Sequence, residues 1–256
     1  MNLKKYKRFF AFGCSFTYYN WMTWADIIGS EITEYYNYGK PGSGNGYIFA
    51  SIVEANIRHK FNEDDLVIVM WSGIDREDRY INGSWKAAGC VYHSIDNFYD
   101  NQFNKKYSDD RGYLIRDMNY ICAIDKLLDN IPHHFLSMMP LTKVTEFDDK
   151  TGDSDVYEYY KEILSKVKPS IFEVIYNNDW NNRQKVKKKM GMFKYETDFH
   201  PTPKLHLEYL EKSFPDLEIS TDTINLVNIQ EDSIFEKDYF DPNEFPYFVR
   251  RYIYRL

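Results

Sequence analysis

The chain has 256 residues, enough for one α/β domain with a full hydrophobic core. Aspartate plus glutamate total 39 against 32 lysines plus arginines, and the net charge of −7 removes any general attraction to nucleic acid or to an anionic membrane. No apolar run approaches the roughly 18 residues of a spanning helix, and three cysteines with no CxxC pair suit a reducing compartment.

In chain order, Arg8 to Gly13 reads as a short buried strand ending at a glycine, and Trp21 to Ile28 as a helix. The apolar run Phe9 to Phe12, behind Lys4, Lys5, Lys7 and Arg8, is too short for a secretory signal, so the expected compartment is the cytoplasm. Tyr35 to Tyr38 reads as a second strand. The glycine-dense segment from Gly39 to Gly46 follows, then a helix from Tyr47 to about Phe61. Leu66 to Trp71 is a continuous apolar run of the kind buried on both faces of a parallel sheet. Asp75 to Gly112 lacks periodicity and reads as a long functional loop. Leu114 to Leu128 carries helical spacing, and Phe135 to Met139 reads as a strand closed by Pro140. A helix is expected over Val156 to Val167, an irregular stretch over Asn177 to Asn182, and a solvated basic helix face over Arg183 to Lys189. The tail, Phe245 to Tyr254, is open between a packed helix, an added strand and an oligomer contact.

Strands separated by helices predict a three-layer, flavodoxin-like α/β sandwich with a mostly parallel central sheet. The expected organisation is a single domain over residues 1–256. Loop insertions fall at about 76–112 and 142–195, and a C-terminal extension at about 215–256.

Chemistry concentrates at the end of the first strand. Ser15 follows Gly13-Cys14 at the carboxyl edge, where α/β sites lie, and a serine needs a neighbouring base to become a nucleophile. His200 lies in Asp198-Phe-His-Pro201, pinned against a helix start signalled by Thr202-Pro203. Asp198, two residues away, can share a face with His200 in an extended loop and hold its tautomer. Two other sites are set aside. Gly39-Lys-Pro-Gly-Ser-Gly places its lysine before the second glycine, the wrong order for a phosphate loop. His133-His134, and Asp198 with His200 and His206, lack the spacing of a metal set. No metal and no cofactor is expected.

Phe12-Gly-Cys-Ser-Phe-Thr17 resembles the first block of the SGNH hydrolases, also called GDSL esterases and lipases. Asn37-Tyr-Gly-Lys-Pro-Gly42-Ser-Gly-Asn45 resembles the second block, and Asp198-Phe-His200-Pro201 the histidine block. The resemblance implies Ser15 as nucleophile, His200 as base and then acid, Asp198 as its partner, and the backbone amides of Ser15 and Gly42 around the oxyanion. The chain departs from the pattern in three places. Cys14 replaces the family's aspartate, where a buried small residue is expected. Asp198 is two residues before the histidine rather than three, with Thr197 at the family's position. In the third block Ile74 stands where the family has an oxyanion-binding asparagine, so Asn45 or Ser72 is expected to supply the donor. The implied function is hydrolysis of a small acyl ester, with an O-acetyl carbohydrate preferred because of the aromatic stretches around Trp85 and Tyr99. A non-catalytic glycan-binding or phage structural module, associated with a virion, is the alternative that the missing asparagine suggests. An O-acyltransferase would share the acyl-enzyme. No nucleic-acid or membrane partner is expected, and the oligomeric state is left open.

Overall fold

The apolar runs at β1 (Arg8–Phe12), β3 (Asp65–Trp71) and β6 (His133–Ser137) lie side by side in the computed structural model, with β2 (Glu34–Asn37) outside β1. Residues 1–93, 98–141, 154–190, 194–236, 238–242 and 252–253 are described. Every pairing in this sheet is parallel, in the order β6-β3-β1-β2, and the backbone of β9 (Tyr252–Ile253) adds outside β2. The rest of the 245–254 tail lies outside the described residues.

Alternation along each strand feeds two cores. Leu66, Ile68 and Met70 face one, with Phe9 and Ala11, while Val67, Val69 and Trp71 face the other, with Phe10 and Phe12. Helices Trp24–Gly29, Pro203–Ser213 and Thr221–Phe235 cover the first core. Helices Asn45–His59, Asp110–Leu127 and Ser154–Leu164 cover the second. The expected three-layer, mostly parallel α/β sandwich is therefore present, in flavodoxin-like strand order.

From β1 the chain steps out to β2 and then back across to β3, so the strand order reverses at β1. The carboxyl ends of β1 and β3 form the crevice where open α/β sheets hold their ligands. Ser15 lies in the turn that leaves β1 at that crevice.

Two expectations are corrected. The stretch from Asp75 to Gly112 is not one long loop: β4 (Arg76–Ile81) and β5 (Ser84–Cys90) form an antiparallel hairpin, followed by the helix Asn101–Tyr107. Asn82 and Gly83 close the hairpin with φ of 53° and 75°, the positive pair that a two-residue turn requires. The basic stretch is not a solvated helix face either. β7 (Val186–Lys189) pairs antiparallel with β8 (Tyr195–Asp198), and the two-residue period turns Val186 and Lys188 inward. Residues 142–153 and 191–193 of the second insertion lie outside the described residues.

Candidate active site

The turn after β1 is tied to the glycine-dense loop by hydrogen bonds. Gly13 O accepts from Lys40 N at 3.0 Å and from Ser43 Oγ at 3.2 Å, and Asn37 Nδ2 donates to Thr17 O at 3.0 Å. Gly13 has no room for a side chain, since a Cβ there would lie 2.0 Å from Thr17 Oγ1 and 3.1 Å from Met70 O. Cys14 is buried, as expected, with Sγ 3.7 Å from Met138 Sδ. This packing leaves Ser15 lining a cleft of about 410 Å³. Ser15 Oγ makes no hydrogen bond among the described residues.

His200 enters the same cleft from the loop after β8. Asp198 Oδ1 lies 2.8 Å from His200 Nδ1 and accepts from His200 N at 3.0 Å, so one carboxylate oxygen fixes both the ring and its backbone. With Asp198 ionised, Nδ1 carries the hydrogen and a neutral ring keeps its Nε2 lone pair. Oδ2 accepts from Tyr19 Oη and lies 3.5 Å from Lys188 Nζ. Burial pushes the Asp198 carboxyl up, but contact with His200, and then the Tyr19 hydroxyl, outweighs it and holds the group well below the usual carboxylate range. Tyr19 is driven the other way, first by burial and then by the Asp198 charge, so its hydroxyl stays protonated as a donor.

The Tyr19 ring also stacks on the His200 imidazole, centroids 3.8 Å apart and planes 21° from parallel, while Phe16 meets the imidazole edge-on at 5.5 Å. Lys188 Nζ lies 5.1 Å above the other partner of this stack, the Tyr19 ring, and 3.3 Å from its hydroxyl. Trp21 Nε1 donates to Pro201 O at 2.7 Å and anchors the loop behind the histidine. Thr202 is the N-cap and Pro203 the first residue of the helix Pro203–Ser213, as expected. Thr202 Oγ1, however, lies 2.9 Å from carboxylate oxygen Oε1 of Glu231, whose Oε2 accepts from Lys204 N. Beneath this loop His206 is fully enclosed, with its Nδ1 unpartnered. Burial, then the nearby His200 charge, pushes its pKa down to about 3.

The predicted oxyanion donors divide. Gly42 has φ of 79°, the left-handed conformation that favours glycine, and neither its N–H nor that of Ser15 is bonded among the described residues. Asn45 is not available. Its Nδ2 donates to Ser72 O at 3.1 Å and to Asp117 Oδ2 at 2.6 Å, and its Oδ1 accepts from Ser72 N, all fully buried. Ser72 Oγ is buried without a partner, and of the predicted donors only Ser15 lines the cleft wall, Gly42, Asn45 and Ser72 lying outside it. Instead the cleft has a cation that the sequence reading did not single out. Arg76, the first residue of β4, lines it, with Nη1 donating to Ser43 O at 2.9 Å and Nη2 3.7 Å from Met138 Sδ. The aromatic expectation also moves. Trp85 packs on Tyr47 and Tyr80, Tyr99 packs on Phe98 and Phe103, and neither lines the cleft; Phe16, Tyr19, Trp180 and Phe199 do. Among the described residues no group of three or more His, Cys, Asp or Glu could hold a metal ion, and no helix is long and apolar enough to cross a membrane.

No family model matches the sequence, and no curated protein matches it. Among solved structures, a member of the lipolytic protein G-D-S-L family from Veillonella parvula DSM 2008 is similar. It covers 82% of this chain and 100% of its own, at 13% identity and a TM-score of 0.43. A likeness this distant carries no function from one chain to the other.

Proposed function

We propose that the chain is a serine ester hydrolase, with Ser15 as nucleophile, His200 as general base and Asp198 as the group that orients the histidine. The observation that carries this reading is the pinned Asp198–His200 pair opening into the cleft that also holds an unbonded Ser15 hydroxyl. Ser15 Oγ attacks the ester carbonyl as His200 Nε2 takes its proton. The tetrahedral intermediate collapses when His200 returns that proton to the departing alcohol, leaving an acyl-Ser15. Water, activated by the same nitrogen, releases the acid. The developing oxyanion meets the N–H groups of Ser15 and Gly42 and the Arg76 guanidinium, which takes the place expected of Asn45 or Ser72. Preorganised donors of this kind are worth about 3 kcal/mol each in the transition state.

An O-acetyl or similarly small acyl ester of a carbohydrate is the substrate class we assign. The cleft volume and its aromatic walls, Phe16, Trp180 and Phe199, support it. An acceptor sugar in place of water would make the same site an acyltransferase. A non-catalytic glycan-binding module is the second reading. It is favoured by one feature: no hydrogen bond joins Ser15 Oγ to His200 among the described residues, a contact that substrate must induce in the catalytic reading.

Hydrolysis of p-nitrophenyl acetate by the wild type beside Ser15→Ala and His200→Ala separates the two. The catalytic reading expects each variant to lose about 1,000-fold or more in kcat/KM. A folded wild type no faster than Ser15→Ala leaves the binding module.

A further inference from the structure

One wall of the cleft holds a charged group for which acyl transfer has no use. Arg183 lies with its guanidinium carbon 4.8 Å from the Trp180 ring centroid and 4.5 Å from that of Phe199, in contact with both aromatic rings. Its Nε donates to Trp180 O at 2.7 Å, which fixes the direction of the fork. Its Nη1 and Nη2 groups make no hydrogen bond and no ion pair among the described residues. Aromatic contacts and one backbone bond have thus immobilised the guanidinium while leaving its outer edge unspent. That is the preorganised state in which a planar fork takes a carboxylate with little further ordering. Asp198 is already held by the His200 ring N–H and the Lys188 ammonium, and Glu196, which is exposed, pairs with neither Arg76 nor Arg183 among the described residues. Arg76 and Arg183 thus stand on the cleft wall beside Glu196 and Asp198, with neither guanidinium in an ion pair among the described residues.

We propose that Arg183 is a specificity-determining residue that binds a carboxylate on the substrate, so that the preferred ester is carried on an anionic body, such as an acidic sugar. This rests on the hydrolase reading above and adds the charge of the molecule whose ester is cleaved. The carboxylate would occupy the Arg183 fork while the acyl group reaches Ser15 elsewhere in the cleft.

The test compares two acetyl esters that differ in one charge, 4-acetoxybenzoate and 4-acetoxybenzamide, each rate divided by its own hydroxide-catalysed rate. We expect the wild type to favour the anion by about tenfold or more in kcat/KM, mainly through KM, as a charge-assisted contact of roughly 1.4 kcal/mol would give. Arg183→Gln should bring the ratio near one, and Arg183→Lys should restore part of it, because the charge returns without the fork. Ser15-dependent turnover of both esters with no preference for the anion would overturn the subsite and leave the hydrolase standing. If neither ester is turned over, the hydrolase reading fails and the subsite is decided by calorimetric titration with benzoate and benzamide. Benzoate binding that is lost in Arg183→Gln would support it, and equal or absent binding of the two would overturn it.

Discussion

Asp198 receives contacts from four directions: the His200 ring, the His200 backbone, the Tyr19 hydroxyl and the Lys188 ammonium. A carboxylate so surrounded does more than balance charge, because it fixes which imidazole nitrogen carries the hydrogen. Asp198→Asn keeps the shape but can present an amide hydrogen to Nδ1 and favour the wrong tautomer, so kcat/KM should fall on the order of 10³ to 10⁴-fold. The same residue predicts an acid limb of stability. Its folded pKa lies below the ordinary 3.8, so its stabilising contribution is complete above that value and is lost as pH falls through the folded one. His206 acts over an earlier window. It is neutral when folded, so its contribution fades as pH drops from 6.5 toward about 3. Thermal melts from pH 7 to 2.5 should therefore show the wild type and Asp198→Asn converging below about pH 4, with the earlier loss common to both. A gap that stays constant would contradict the assignment. The triad candidates were legible from sequence because they sit in short local motifs. Tyr19, Lys188 and Arg76 were not, because nothing near them in the chain announces contacts spanning, for Tyr19 and Asp198, 179 positions.

At the scale of elements, the hairpin β4–β5 carries Arg76 to the cleft, and Asp78 fastens that hairpin to the sandwich. Its carboxylate accepts from Gly44 N and Tyr47 N, free donors at the start of the helix Asn45–His59. Asp78→Ala strips that helix of its acceptor and loosens the strand behind Arg76. It should cost about 1–3 kcal/mol in urea unfolding and raise hydrogen exchange in residues 76–90 before the rest of the sheet. Exchange unchanged there would show the hairpin to be held by other contacts. The hairpin has a sequence signal, Asn82-Gly83 between Tyr80-Ile81 and Ser84-Trp85, that is among the more specific short ones. Polar residues on its exposed strand obscured the alternation. The stretch from Arg183 to Lys189 hides its structure in a similar way: charge counting describes a solvated face, whereas a strand alternates and buries every second residue, Lys188 among them.

For the molecule as a whole, the parallel sheet was the most legible feature, because strands covered on both faces must be apolar throughout, as Leu66 to Trp71 is. That same property couples the two cores. Ile68→Ala, on the face packed by the helix Trp24–Gly29, should cost about 2–5 kcal/mol, and Phe12→Ala, on the opposite face, about 3–5 kcal/mol. Both variants should unfold in one transition that coincides by circular dichroism and tryptophan fluorescence, whereas separate transitions would mean the faces melt independently. The crevice at the strand-order reversal is where these packed layers meet Ser15, His200 and Arg76. The most direct measurement of the central claim is intact and peptide mass spectrometry of the protein after exposure to a fluorophosphonate. A single adduct on Ser15, absent in Ser15→Ala and formed far more slowly in His200→Ala, is the predicted result. A folded protein that stays unlabelled, or carries its adduct elsewhere, would contradict the account.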